Sequence, residues 1–153
     1  MIKKIKNLYH YILALLGKII YSNPSRKITV IGVTGTKGKT STVALIATAL
    51  SACGHKVAMI SSVYIAIGDK KILNTTENTM LGRGRAQKVL AEAVKAGCKF
   101  MVMEVSSLGV KQHRHRFIEW DAGVFMNIHP EHIEAHGSFE TCRELLCVPD
   151  ECS

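Results

Sequence analysis

Several features that mark other classes of protein are missing from this sequence. It has no Cys-X-X-Cys pair, no cysteine and histidine spacing of a zinc site, and no cleavage site of a secretory leader. It also has no internal repeat and no low-complexity tract. These absences exclude a disulfide-rich secreted domain, a repeat protein and a disordered chain. We expect a reducing cytoplasm, in which Cys53 and Cys98 are small core residues.

Acidic residues are few as well. The chain has 12 Asp and Glu against 20 Lys and Arg, which gives a formal net charge of +8. This balance favours an anionic partner, either a nucleotide, a nucleic acid or a membrane surface, and a solvated basic face is an equally good explanation. A length of 153 residues with 47% hydrophobic residues predicts one globular domain with a core.

The amino-terminal segment has a basic start and then an apolar run from Leu8 to Tyr21. Lys18 interrupts this run, which is shorter than the roughly 20 residues that a membrane-spanning helix needs. Two interpretations stay open. Residues 1–21 could lie in the interface of an anionic membrane, or they could form a helix that packs on the following domain.

After this segment, apolar β-branched runs alternate with helical patterns. Residues 62–82 are mixed and contain glycine and asparagine, which is typical of a small hairpin ending in a loop. The alternation predicts an α/β fold, with a parallel sheet flanked by helices. We predict helices from Thr40 to Cys53 and from Ala86 to Ala96, and strands at "KITVIGV", "KVAMISS", "KFMVMEV" and "WDAGVFMNI".

A glycine-rich bend, "GVTGTKGKTS", follows the first predicted strand. Gly35 and Gly38 allow the backbone to curl so that successive N–H groups point into one hollow, which suits a phosphate at a helix start. Lys39 can reach the outer phosphates of a nucleotide, and the Thr40 hydroxyl can ligate Mg²⁺. The strict phosphate-loop pattern has a glycine where this chain has Val33, so the prediction depends on the order of strand, bend and helix. A plain glycine-rich turn is the alternative.

Further candidate residues follow later strands. Glu104 ends the run "KFMVMEV", at the edge where doubly wound sheets bind ligands, and a carboxylate there can hold Mg²⁺ directly or through water. In "NIHPEHIEAHG", His129, His132 and His136 could converge on zinc, although Pro130 follows the first of them. The basic "KQHRHR" could contact nucleic acid, but it has no interleaved aromatic residues for base stacking, and we expect no such partner.

Four stretches together resemble the Mur ligase family, the ATP-dependent enzymes that add amino acids to peptidoglycan precursors. They are "GVTGTKGKTST", "EVSSLGVKQHR", "VFMNIHPEHIEAHG" and the weaker "NTMLGRG", in the family's order over roughly residues 28–140. The pairing of "EVSS" with "QHR" is most similar to the branch that contains the UDP-N-acetylmuramoyl-tripeptide synthetases. The resemblance implies the fold of the family's central ATP-binding domain, a P-loop-type parallel sheet flanked by helices.

The resemblance also implies roles for individual residues. ATP phosphates would bind along the loop at Gly35, Thr36, Lys37, Gly38, Lys39, Thr40 and Ser41. Catalytic roles are implied for Lys39 and Glu104. Magnesium ligation is implied for Thr40, Glu104 and His132, which replaces the zinc interpretation. Contacts with the substrate are implied for Asn78, Thr79, Ser106, Gln112 and Arg114. The implied reaction transfers a phosphoryl group from ATP to a substrate carboxylate, and an amino group then attacks the acyl phosphate.

The chain departs from the family pattern at several positions. Leu108 stands where histidine is usual, and Glu131 replaces the usual aspartate. The family's carbamoylated lysine falls on Leu146, and leucine can neither be carbamoylated nor ligate a metal. We expect the chain to lack the family's amino-terminal UDP-binding domain, with the short apolar segment in its place.

These observations predict an ATP-dependent acid–amino-acid ligase of peptidoglycan synthesis, here a fragment that retains ATP and Mg²⁺ binding but is incomplete and inactive alone. The alternative is a stand-alone nucleotide-binding module, membrane-associated or working with a partner chain that covers the sheet edge. Expected partners are a UDP-N-acetylmuramoyl-peptide and an amino acid, in the cytoplasm or at the inner face of the membrane. The expected organisation is an apolar helix and linker in residues 1–26, an incomplete central domain in residues 27–140 and a divergent tail in residues 141–153.

Overall fold

Apolar runs of the sequence form a six-stranded sheet in the computed structural model, which describes residues 2–76, 78–82 and 84–127. The strands are β1 (Thr29–Thr34), β2 (Val57–Ile60), β3 (Tyr64–Ile67), β4 (Lys70–Leu73), β5 (Phe100–Val105) and β6 (Ala122–Phe125). The helices are α1 (Ile2–Ile20), α2 (Lys39–Ala52), α3 (Arg85–Lys95) and α4 (Ser107–Lys111), with a 3₁₀ turn at Pro24–Lys27.

The strands lie in the order β4-β3-β2-β5-β1-β6. β1 runs parallel to both of its neighbours, β5 and β6, and β2 runs parallel to β5. β3 and β4 form an antiparallel hairpin that extends the same sheet beyond β2. The predicted α/β fold is confirmed, and the mixed segment contains the predicted hairpin. The sequence pattern did not indicate that this hairpin would join the main sheet.

The central strands are apolar on both faces because helices cover both sides of the sheet. Successive side chains of a strand point to opposite faces, so Met101 packs in the core cluster that contains Leu90 of α3, and Val102 packs in the cluster that contains Val43 of α2. This double burial explains why the strands have continuous apolar sequences and no apolar–polar alternation.

Glycines set the ends of the two helices that cover the sheet. Both α2 and α3 begin and end one residue earlier than predicted. Gly54 and Gly97 follow these helices with φ of 82° and 76°, a left-handed conformation in which glycine is favoured. Sequence reasoning did not predict α4, a five-residue helix whose first turn is capped by the Ser106 hydroxyl, which accepts a hydrogen bond from Gly109 N at 3.1 Å.

The prediction that both cysteines are core residues is half correct. Cys98 is buried against the sheet, and this burial raises the pKa of its thiol. Cys53 is exposed, and the expectation that it belongs to the core is wrong. The physical reason is its position, because α2 ends at Ala52 and Cys53 occupies the cap after the last turn.

The amino-terminal helix packs on the domain. Gly17 of α1 lies against Gly84 so closely that a Cβ atom on Gly17 would stand 2.9 Å from the Cα of Gly84. The ring of Tyr11 meets that of Phe117 edge-on, with centroids 5.1 Å apart. In this structure the segment forms a helix that packs on the domain, as one of the two interpretations predicts. Among the described residues, no helix is long and apolar enough to cross a membrane.

Burial predicts that the same substitution, Leu→Ala, changes the free energy of unfolding very differently in α3 and in α2. Leu90→Ala removes a side chain that is 0% exposed and should lower the free energy of unfolding by about 2–5 kcal/mol. Leu45→Ala in α2 removes one that is 69% exposed and should change it by less than about 0.5 kcal/mol. Urea titrations followed by circular dichroism measure both values. Equal losses would contradict the assignment of α3 to the core.

Candidate functional site

The carboxyl ends of four strands meet at one edge of the sheet. β1, β2, β5 and β6 all run in the same direction, so the segments that follow them lie side by side. The glycine-rich loop follows β1, the pair Ser61 and Ser62 follows β2, and Asn127 closely follows β6. The edge therefore gathers residues that are far apart in the sequence, at the place where open α/β sheets bind ligands.

The loop after β1 has no room for side chains at its glycines. Gly35 has a φ of 143°, and a Cβ atom on it would stand 3.0 Å from the main-chain oxygen of Asn127. Gly38 has a φ of 84°, and its Cβ would stand 3.1 Å from the Cε of Met126. The backbone of the loop is thus packed against the end of β6, in a conformation that requires glycine at both positions.

Asn127 holds the backbone amides of this loop. Its Oδ1 accepts hydrogen bonds from Thr36 N at 3.1 Å and from Lys37 N at 3.0 Å. Its Nδ2 donates to Lys37 O at 3.1 Å. Sequence reasoning did not single out Asn127, although it lies within the family-like stretch "VFMNIHPEHIEAHG". The amide side chain fixes the shape of the loop from a strand that is some 90 residues away.

Lys39 places a positive charge inside the loop. Its Nζ donates to Gly35 O at 2.6 Å and to Thr36 O at 3.1 Å. Lys39 is also the first residue of α2, so the loop meets the positive end of a 14-residue helix whose first amides lack helical acceptors. Thr40 and Ser41 follow in the same turn. An ammonium group and a helix start therefore border the hollow of the loop, and both have the positive charge that suits an anion.

Glu104 lies one strand away from the loop. It is 1% exposed, and its Cα pairs with that of Val33, two residues before Gly35. Ser62 holds this carboxylate through its N–H, which donates to Oε1 at 2.8 Å, and its hydroxyl, which donates to Oε2 at 2.8 Å. Val102, two residues earlier in β5, packs on the α2 side, so strand alternation directs Glu104 to the face that carries α2.

The other predicted metal ligand, His132, lies outside the described residues, as do His129 and His136 of the earlier zinc interpretation. Within the described part of the chain, no group of three or more histidine, cysteine or acidic side chains is close enough to hold a metal ion. Glu104 and Thr40 are therefore the predicted magnesium ligands that the structure describes.

Three of the predicted substrate residues line one cleft of about 620 Å³. Arg114 donates through Nη1 to Asn78 Oδ1 at 2.9 Å, so these two side chains form one wall. The Oε1 of Gln112 is buried and finds no donor among the described residues. His10 of α1 and Arg85 also line the cleft, and sequence reasoning missed both.

The remaining two substrate candidates are not among the lining residues. The Ser106 hydroxyl is used in the cap of α4, and Thr79 is half-buried beside Met80.

The basic run that suggested nucleic acid is partly directed into the protein. Arg114 bonds to Asn78, and the guanidinium of Arg116 lies 5.9 Å from the ring centre of Tyr11. Burial lowers the pKa of His115 to about 4, with the positive charges of Arg116 and His113 as further causes. This histidine is therefore neutral near pH 7 and adds no positive charge for a phosphate backbone to contact.

Known proteins are similar to most of this chain. The family model described as the Mur ligase middle domain matches residues 33–144. The UDP-N-acetylmuramyl-tripeptide synthetase of Treponema pallidum (strain Nichols) is 43% identical over 125 residues, which are 80% of this chain and 23% of that relative. The UDP-N-acetylmuramoyl-L-alanyl-D-glutamate–2,6-diaminopimelate ligase of Chlamydia trachomatis serovar D is 39% identical over 129 residues, 83% of this chain and 26% of that relative.

A solved structure gives the same match. A UDP-N-acetylmuramoyl-L-alanyl-D-glutamate–2,6-diaminopimelate ligase superposes with a TM-score of 0.66 at 30% identity, over 77% of this chain and 23% of the other. The chain therefore spans about a quarter of the length of the relatives that it matches.

The contacts of Asn127 predict a specific change in hydrogen exchange. Asn127→Ala removes the acceptor for the Lys37 amide, a hydrogen bond worth about 1 kcal/mol, so exchange of that amide should be about fivefold faster. The Thr36 amide should change less, because it also donates to the main-chain oxygen of Asn127. NMR-detected exchange measures both rates. Asn23→Ala, whose amide bonds to Glu119 far from the loop, is the control. An unchanged Lys37 rate would contradict this role.

The buried histidine predicts a pH dependence of stability. The pKa of His115 is about 4 in the folded chain and about 6.5 when unfolded, so between these values the unfolded chain binds a proton that the folded chain does not. The free energy of unfolding should therefore fall as the pH is lowered through this window. His115→Gln should flatten the slope, and Arg116→Gln, which removes one of the neighbouring charges, should give an intermediate slope. Urea titrations across the window test this, and parallel slopes would contradict it.

Proposed function

The chain belongs to the Mur ligase family, and from this premise we propose that its loop from Gly35 to Ser41 binds the phosphates of ATP. In this proposal the described domain is the nucleotide-binding part of a ligase that acts on peptidoglycan precursors in the cytoplasm. ATP supplies the phosphoryl group that activates a substrate carboxylate. The residues of this chain orient its phosphates and neutralise their charge.

The single observation that carries this proposal is the hollow formed by the loop. Its glycines pack closely against Met126 and Asn127, and Lys39 Nζ lies within the loop, 2.6 Å from Gly35 O. Phosphate oxygens are better acceptors for an ammonium group than a neutral carbonyl, because the bond is then between opposite charges. A bound phosphate would therefore draw Lys39 Nζ away from the loop carbonyls.

The residues present also fit a magnesium ion. A carboxylate and a hydroxyl are the oxygen ligands that Mg²⁺ takes in nucleotide sites, and Glu104 and Thr40 supply them here. Each oxygen of Glu104 accepts one hydrogen bond from Ser62 and keeps further lone-pair capacity. We propose that these two residues, with His132, would hold the ion, which when bound would neutralise phosphate charge. Ser62 would keep the carboxylate oriented.

We propose that the cleft beside Arg114 takes the acceptor substrate. The relatives are named for reactions on UDP-N-acetylmuramoyl peptides, and a ligand of this kind carries carboxylates and amide groups. Arg114 and Arg85 would attract the carboxylates, and the buried Oε1 of Gln112 would accept a hydrogen bond from an amide N–H. Asn78 would position Arg114, and Thr79 and Ser106 are proposed to lie at the border of the bound ligand.

Ligation is proposed for the whole enzyme of which such a domain is a part, and the amino acid that it adds is not assigned. For the chain of 153 residues we propose nucleotide binding without complete ligation. A ligation assay with ATP, a UDP-N-acetylmuramoyl-peptide and a mixture of amino acids tests this second statement. Robust product formation by the purified chain would overturn it and leave the nucleotide site intact.

The role of Lys39 gives the direct test of nucleotide binding. Lys39→Ala removes the ammonium group from the hollow, and we expect the Kd for ATP with Mg²⁺ to rise at least tenfold, which is about 1.4 kcal/mol. Isothermal titration calorimetry measures it. Lys95→Ala, at the exposed end of α3, is the matched control and should leave the Kd unchanged. Equal affinities of the two variants would show that the loop is not the phosphate site.

A further inference from the structure

The helix α1 turns several of its large apolar side chains away from the domain. Leu8, Ile12, Leu16 and Ile19 follow one another at helical spacing, and their exposed fractions are 59%, 45%, 45% and 64%. A helix on the surface of a globular protein normally directs such a stripe to the core. We call this surface the outer stripe; with its flanking residues it comprises Leu8, Tyr9, Ile12, Leu16, Ile19 and Ile20.

The contacts on the inner side fix this orientation. Gly17 packs against Gly84, where no side chain would fit, and Tyr11 packs its ring against those of Phe117 and His113. Lys18 places its ammonium group 5.7 Å from the ring centre of Phe117. Rotation of the helix to bury the outer stripe would break these contacts. The outer stripe is therefore available to a second surface while α1 stays docked.

The charged residues of α1 itself all have one sign. Lys3, Lys4 and Lys6 occupy the first turns of α1, and α1 contains no acidic residue. The first acidic residue of the whole sequence is Asp69, which follows the hairpin strand β3. The sequence of α1 thus supplies cations and no anion, which favours a partner of negative charge.

We propose that α1 binds the surface of an anionic phospholipid bilayer, with the outer stripe in the boundary between headgroups and acyl chains. Such a surface supplies an apolar layer and negative charge together, which matches the two properties of the helix. Tyr9 suits this depth because its ring is apolar and its hydroxyl is polar. A second copy of the chain is a poorer occupant, because it would add the same cations. The proposal does not depend on nucleotide binding.

The experiment uses the full chain and vesicles of phosphatidylcholine, with or without phosphatidylglycerol, in a flotation assay. We expect the chain to float with the anionic vesicles and to bind neutral ones at least tenfold more weakly. The double variant Ile12→Gln/Leu16→Gln should lose at least tenfold in affinity for the anionic vesicles. Because these side chains are exposed, its unfolding midpoint in urea should match that of the parent chain.

Matched control variants distinguish binding through the outer stripe from non-specific apolar and electrostatic binding. Ile72→Gln/Leu73→Gln on β4 removes side chains that are 60% and 64% exposed, and should bind within twofold of the parent chain. Replacing the lysines at positions 3, 4 and 6 by glutamine should weaken binding more than the same change at Lys56, Lys70 and Lys95. Equal effects of the two lysine sets would overturn the proposal.

A second measurement does not depend on loss of binding. Tyr9→Trp should show a blue shift and strong quenching by brominated acyl chains with anionic vesicles, beyond the signal of Trp120 in the parent chain. Tyr64→Trp on β3 should show neither the blue shift nor the quenching. Failure to float with anionic vesicles, or a Tyr9→Trp signal unaffected by lipid, would overturn the proposal. So would light scattering that shows a dimer abolished by Ile12→Gln/Leu16→Gln, since a second copy would then cover the outer stripe.

Discussion

The loop after β1 depends on acceptors for its backbone amides. A curled loop turns successive N–H groups inward, and a polar group in such a place is costly unless it is bonded. Asn127 meets this need from the end of β6, and it can do so because β6 pairs with β1 in parallel register. The geometry of the hollow is therefore a property of two neighbouring strands, and the loop sequence alone does not determine it.

The carboxylate beside the loop also needs hydrogen-bond partners, and a neighbouring strand supplies them. Glu104 is buried at the end of β5, where an unbonded charge would be strongly unfavourable, and Ser62 at the end of β2 donates to both of its oxygens. In each case a side chain from an adjacent strand end bonds to the group and holds it in place. Hydrogen bonds between strand ends therefore organise this edge of the sheet.

The parts of the fold that local patterns control were predictable. The apolar run of β5 and the glycines after α2 and α3 depend on neighbouring residues, and the predicted elements lie within a few residues of the observed ones. The contacts of Asn127 and Ser62 were not predictable, because their partners lie 90 and 42 residues away and become neighbours only through the strand order. Cys53 illustrates the same limit on a smaller scale, since the whole end of α2 from Ser51 onward is exposed and its apolar sequence does not show this.

The docking of α1 also has a consequence for the cleft beside Arg114. His10 belongs to α1 and forms one side of that cleft, two turns before the contact between Gly17 and Gly84. Because Gly17 and Gly84 have no side chains, α1 can approach closely, and this approach sets the width of the cleft. A side chain at Gly17 would push α1 outward and enlarge the opening of the cleft, so two glycines outside the cleft set its width.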